Sequence, residues 1–592
     1  MVHKIHIPVM GICYTADTPV RVAHFGITSV ISLVDDGLLE EYRMAYAERL
    51  GLDLGSPQTT RIGRIRSYLD FVADEVERKF ERLCAERFDG GSDKDRYFLM
   101  LPLDSRLRVE YDGIFAKTGL ARIAAEAALT EKMEPGEIQA NIMVGLNHEE
   151  AAFDAVRGFA ASKVKGSLVL SAGVNLAVFE EIAKCKDFYR TRDKAPSKKI
   201  ILKVSDYRSA LIQGRYLAKK GLEVYEYRIE SGVNCGGHAF FESKKLLLDV
   251  VREFVAKKNE LFETTRGMIA KFAAANASSN AANACVHEIV PPKAPARITA
   301  QGGLCSPEDI EKIMSLGIDG VGVGTPFLLV PQATSVDKET RHLLVAAKPE
   351  DVYISYASPL GIPFVNLRTS SAAKLCQEKI REYFKPQCEK SDNPELKPGF
   401  PCRQHYLCRQ IPGFDHPVCM ASREYVMHRL AEIDKLERDE IAVASHSGKV
   451  ADLDRIRDKN ATICHSGGSV ATDKIQEAVT AIREKYNALR RETLSRECIC
   501  RFLGNAGREE IREKNPSLHY QPECVAVARG SQPTRIREPV TICPNPDIGY
   551  FDREYTLFEM MRHLYGTGPR LTPEDKPSAF EVEEKILRNM TE

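Results

Sequence analysis

Residues 297–309 run Arg297-Ile298-Thr299-Ala300-Gln301-Gly302-Gly303-Leu304-Cys305-Ser306-Pro307-Glu308-Asp309: a short strand, a double-glycine turn and the opening of a helix. The next unit repeats the arrangement, with a strand over 320–323 running into Gly322-Val323-Gly324-Thr325. Upstream, short apolar runs at 5–10, 27–34, 139–144, 167–171, 199–204 and 223–229 are each followed by a helical pattern. Alternation of this kind is the signature of β-α units and a parallel sheet. The total is about eight units, the number that closes a TIM-type (β/α)8 barrel. An open doubly wound sheet is the alternative, lowered by the lack of G-x-G-x-x-G after the first strand.

Two stretches break the alternation. Residues 54–130 contain an amphipathic run over 64–87 and the break Asp89-Gly90-Gly91, and they read as a mostly helical insertion that would reshape the substrate entrance. From about 375 onward the pattern changes for good: Pro, Cys and His cluster between 386 and 419, and helical patterns follow at 423–436, 472–496 and 555–564. The expected organisation is a barrel over 1–370, a cysteine-containing cap over 371–480, and a mostly helical extension over 481–592. The last part carries no functional reading of its own and could wrap the barrel or contact another subunit.

Composition narrows the function classes. Lys+Arg and Asp+Glu are balanced at 83 each, so no global field favours nucleic acid or anionic lipid. No uncharged apolar run is long enough to span a bilayer, and the first residues lack the pattern of a secretory signal. The expectation is a soluble, cytoplasmic protein acting on a small molecule, with a homo-oligomer compatible. Of the 16 cysteines, six precede residue 370 and ten follow it, so the two parts differ in kind. Without a signal, a disulfide scaffold is disfavoured.

In a barrel the active face lies at the carboxyl ends of the strands. Glycines there let backbone N–H groups approach a phosphate, and a following helix N-terminus adds a favourable dipole. Two successive glycine-rich ends, at Gly302-Gly303 and Gly324-Thr325, favour a phosphate site over plain tight turns. A third stretch, Glu230-Ser231-Gly232-Val233-Asn234-Cys235-Gly236-Gly237-His238, follows the strand ending near Ile229. Its glycines permit close approach to a planar cofactor. His238 could move a proton at a carbon acid, or simply cap the next helix.

Taken in order, these segments resemble the nitronate monooxygenase (2-nitropropane dioxygenase-like) family, which also includes FMN-dependent enoyl-acyl-carrier-protein reductases. The resemblance rests on Asn141-Ile142-Met143, on Ser171-Ala172-Gly173-Val174-Asn175, on Asn234 through His238, on Ala300-Gln301-Gly302-Gly303, on 317–327, and on Ser358-Pro359-Leu360-Gly361-Ile362-Pro363. It implies FMN at the barrel mouth, with phosphate on Gly302, Gly303, Gly324 and Thr325. Asn141, Ala172, Gly173, Lys203, Gly236 and Gly237 would lie near the flavin, with Met10 and Gly11 a looser match. His238 would be the catalytic acid/base, and NAD(P)H a candidate electron donor. Asn234-Cys235 departs from the family's usual Glu-Ala, and the insertion at 54–130 and the patch before Pro291 would reshape the substrate entrance, so substrate identity does not transfer. Nitronate oxidation and enoyl-thioester reduction are both compatible. A non-catalytic flavin or metal redox sensor is a rival class, as is a barrel that binds a sugar phosphate or nucleotide through the same glycines.

Cys402, Cys408, Cys419 and Cys464 are weak candidates for a zinc or iron–sulfur site. Their spacing is poor, because structural zinc sites usually begin with two cysteines two to four residues apart. Reduced structural cysteines and redox-active thiols are the alternatives. The segment ending in Ala461-Thr462-Ile463-Cys464-His465-Ser466-Gly467-Gly468 resembles a cysteine-bearing cap found in some members of that family.

Overall fold

The computed structural model describes residues 2–34, 36–143, 149–171, 173–233, 245–278, 288–355, 364–370, 408–409, 418–419, 434, 436–442, 478–488 and 544–591. Eight parallel strands close into a barrel in chain order: β1 (Ile5–Ile7), β2 (Thr28–Ser32), β3 (Ile138–Met143), β4 (Ser167–Ser171), β5 (Lys199–Val204), β6 (Glu226–Glu230), β7 (Arg297–Gln301) and β8 (Gly320–Gly322). The ring closes where Ile5 and His6 of β1 register with Val321 and Gly322 of β8. The (β/α)8 architecture expected from the alternation is the one observed.

Strand β6 shows why the barrel has a polar interior. Successive side chains of a strand point to opposite faces, so Tyr227 and Ile229 join the outer apolar core while Glu226, Arg228 and Glu230 point into the lumen. The guanidinium of Arg228 reaches across to Gln139 on β3 at 2.9 Å and pairs with Glu226 at 2.7 Å. Thr299 on β7 donates to the same carboxylate at 2.6 Å. Val30, Val169 and Ile201, from β2, β4 and β5, supply a small apolar cluster of their own.

The insertion lies mostly at the other end from the one expected. Helix Arg61–Ala85, capped by the Thr60 side chain, starts near the carboxyl end of β2, where Arg61 bonds both Asp36 and the Leu33 carbonyl. It packs against helix Glu149–Ala161, and a Cβ on Gly158 would strike the Ile65 side chain at 2.8 Å. Three further helices, Asp93–Leu99, Arg106–Asp112 and Gly119–Thr130, then build a second core of Phe88, Tyr97, Phe98, Tyr111, Ile114 and Leu129. Val2 and Phe25 pack on this core, and Tyr97 donates to the Glu134 carbonyl shortly before β3. That is the amino end of β1, β2 and β3. The expectation that the insertion shapes the substrate entrance is therefore corrected for these three helices: they pack beside the amino ends of β1 to β3, away from the mouth.

Residues 544–591 belong to the barrel body. Tyr555 N–H donates to the Leu329 carbonyl, and Leu557 N–H to the Gln332 side chain. Met560, Met561 and Leu564, on helix Leu557–Leu564, are buried in the main core. The Tyr565 hydroxyl accepts from the N–H groups of Lys4 and Ile5 at 3.0 and 3.2 Å, beside β1. Leu571 N–H donates to His563 Nδ1, so the proton on Nε2 is available to the Cys305 carbonyl at 3.3 Å. Lys576 lies buried between Asp547 at 2.9 Å and Asp309 at 3.3 Å.

Beyond the barrel, Val352–Ser355 and Phe364–Leu367 pair as an antiparallel hairpin. Among the described residues no helix is long and apolar enough to cross a membrane.

Candidate functional site

Strands β7 and β8 are neighbours, with Gln301 in register with Gly322, so their two glycine-rich ends meet at the mouth. Gly302 and Gly303 both have left-handed backbone, with φ of 128° and 78°. A Cβ at Gly302 would stand 2.5 Å from the Ser231 side chain, so only glycine fits without displacing the end of β6. Gly324 sits against Met10 and Pro8 from the end of β1; a Cβ there would come within 3.2 Å of Met10. These glycines and Thr325 are half-buried and reachable from the mouth. Among the described residues no acceptor takes the N–H of Gly303, Gly324 or Thr325. Successive backbone N–H groups beside left-handed glycines are the kind of donor set that can receive an anion. The Thr325 hydroxyl oxygen accepts from Asn545 N–H at 3.0 Å, which leaves its own proton to donate.

Beneath this cradle a polar row crosses the top of the lumen. Lys203 on β5 pairs with Glu230 on β6 at 2.9 Å. Gln301 on β7 donates to Glu230 at 2.8 Å, and its carbonyl oxygen lies 3.5 Å from His6 Nε2 on β1. Gly322 makes room for the last pair, since a Cβ there would come within 2.7 Å of His6 and 2.8 Å of Gln301. Burial, reinforced by the positive charge of Arg228, holds the His6 imidazole well below its ordinary pKa, so it stands neutral. The row thus offers one ammonium, one carboxylate and two neutral hydrogen-bonding groups within reach of one another.

Of the positions singled out in the sequence, the fold brings together Met10, Gly302, Gly303, Gly324 and Thr325, with Lys203 in the polar row. Asn141 is half-buried near the carboxyl end of β3, and Gly173 is exposed just past β4. Gly11 follows Met10 and accepts the hydroxyl proton of Thr15 on its carbonyl. Ala172, Gly236, Gly237 and His238 lie outside the described residues, as do Cys402 and Cys464. Cys408 and Cys419 are opposite each other in a short antiparallel pair. No group of three or more His, Cys, Asp or Glu that could hold a metal occurs among the described residues.

Glu230, Gln301 and His6 were not singled out from the sequence. The available signal was the alternation Glu226, Arg228, Glu230 on one face of β6, unusual for a strand buried on both sides. Also unforeseen is Glu583, which reaches Ser231 at the end of β6 from the last described helix, Ala579–Thr591, with a hydrogen bond of 2.6 Å.

No family model matches the chain, and no curated protein matches it. Among solved structures it is similar to the enoyl reductase domain of MlnA from the macrolactin biosynthesis cluster of Bacillus amyloliquefaciens, at 11% identity and a TM-score of 0.41, over 100% of this chain and 96% of that one. FabK from Thermotoga maritima is similar at 14% identity and a TM-score of 0.31, over 64% of this chain and 76% of that one. A nitroalkane oxidase from Streptomyces ansochromogenes is similar at 11% identity and a TM-score of 0.28, over 62% and 76%.

Proposed function

We propose that this chain is an FMN-dependent oxidoreductase of the nitronate monooxygenase-like group, acting on a small organic substrate. The observation that supports this most is the cradle: two successive left-handed glycines, Gly302 and Gly303, beside Gly324 and Thr325, with the N–H groups of Gly303, Gly324 and Thr325 taking no acceptor among the described residues. That donor set suits a phosphate monoester. In this reading Gly303, Gly324 and Thr325 hold the FMN phosphate, and Asn141, Gly173 and Lys203 line the ring. Bound FMN supplies the hydride or electron exchange that amino-acid side chains cannot.

The chain's own residues have narrower tasks. Lys203, anchored by Glu230, brings a fixed positive charge to the mouth, where it favours negative charge gained on reduction. His238 moves the substrate proton, and positioned acid–base groups contribute about 10²–10⁴-fold.

The test is an FMN titration of the purified, flavin-free chain, followed by two assays. One follows consumption of a nitronate with oxygen; the other follows NAD(P)H-dependent loss of an enoyl thioester. The expected result is tight FMN binding with turnover in the first assay. Turnover in the second alone would move the chain to the enoyl reductases. Failure to bind FMN would sink the reading altogether. His238→Ala should keep the flavin and lose turnover by about 10²–10⁴-fold.

A further inference from the structure

Strand β6 and the next described helix, Leu247–Ala256, are joined by a segment that includes Asn234 through His238. One buried carboxylate from the far end of the chain holds both ends of that segment. Glu583 accepts from the Ser231 hydroxyl through Oε1 at 2.6 Å, and from the Leu247 N–H through Oε2 at 2.9 Å. We infer that Glu583 is a positioning residue, which ties Ser231 at the end of β6 to the start of helix Leu247–Ala256 and so holds the β6 side of the phosphate cradle.

Three observations give the contact weight. Ser231 is the residue that a Cβ on Gly302 would strike, and its N–H donates to the Gln301 carbonyl at 3.0 Å, so its placement also sets the wall of the phosphate cradle. Its hydroxyl oxygen additionally lies 3.3 Å from the Val233 N–H, which carries the constraint one step further into the segment. The helix bearing Glu583 is itself tied down: Ala579 N–H donates to Asp309 at 2.9 Å, on the helix that follows the Gly302-Gly303 turn. The carboxylate is thus fixed to the element after β7 and to both ends of the connection after β6. Glu583 is 4% exposed, so a lost partner is not replaced by solvent.

The experiment uses the full chain with Glu583→Ala and Glu583→Gln, read by hydrogen exchange and by FMN titration. In Glu583→Ala, peptides covering 226–233 and 245–256 should exchange about tenfold faster or more, while those covering 61–85 stay unchanged, because a buried hydrogen bond to a charged group is worth that much. FMN should bind about tenfold more weakly, with a shifted absorption band, and Glu583→Gln should recover part of both effects, because its one amide oxygen can accept from the Leu247 N–H while its NH2 group donates to the Ser231 oxygen. Unchanged exchange at 226–233 and 245–256 overturns the inference. Faster exchange with FMN affinity and spectrum intact also overturns it, because the segment would then be held for stability alone. The FMN arm rests on the function proposed above. If the unsubstituted chain binds no FMN, that function fails, and exchange alone decides the role of Glu583. Should Glu583→Ala not fold, Ser231→Ala removes one of the two bonds and is read in the same way.

Discussion

At the amino end of the barrel, Phe98 and Tyr111 stack at 5.2 Å, and Tyr97, Phe88 and Ile114 fill the space around them. At the carboxyl end β7 and β8 stop in glycines, with backbone N–H groups that take no acceptor among the described residues. One end packs aromatic bulk beside the strands; the other leaves half-buried backbone N–H groups without an acceptor among the described residues. Stability and recognition are therefore carried by different ends of the same strands, and substitutions should sort accordingly.

The largest effect is expected from Phe98→Ala, which empties a fully buried site. It should lower unfolding free energy by about 3–5 kcal/mol in urea titration, with FMN affinity of the folded protein unchanged. A parallel loss of affinity would break the division between the ends.

Acid provides the next test. Burial lowers His3 and His563 from their ordinary 6.5 to about 4, so both are neutral in the fold and take up protons more readily once unfolded. Their stabilisation is present above pH 6.5 and is lost as the pH falls from 6.5 towards 4, by about 3 kcal/mol for each group. His563→Gln should flatten that limb of the pH–stability curve; an unchanged limb would mean that His563 does not titrate this way.

At the mouth the ranking reverses. Gly302→Ala forces a side chain into left-handed backbone against Ser231, which costs about 1–3 kcal/mol. It should weaken FMN binding by at least tenfold, about 1.4 kcal/mol, in the same titration. The smallest effect belongs to Leu120→Ser. Leu120 is 84% exposed on the outer side of the insertion, and its loss should change stability by no more than about 0.5 kcal/mol.

The barrel was legible because its signals are local. The runs at 167–171 and 199–204 are strands wherever they fold, and Gly302-Gly303 marks a strand end on its own. The polar row was not, because Glu230, Gln301 and His6 gain meaning only when β6, β7 and β1 stand side by side. The place of the insertion was misread for a related reason: its amphipathic helices announce a buried face, but not which end of the barrel supplies the partner. Residues 544–591 were opaque because their partners are hundreds of positions away, as with Lys576 and Asp309, and Asn545 and Thr325. The pattern at 555–564 announced a helix and nothing about its berth.

The hydroxyl of Tyr565 on the N–H groups of Lys4 and Ile5 has a consequence for the chain as it is made. Those two donors leave the ribosome before their acceptor, which follows 561 and 560 residues later. At common rates of about 5–20 residues per second, the wait is on the order of half a minute or more. The partner strand β8 is made a little past the middle of that time, but the hydroxyl at the base of β1 comes only at its end. A growing chain must keep residues 2–7 unclaimed by other partners until helix Leu557–Leu564 and Tyr565 arrive.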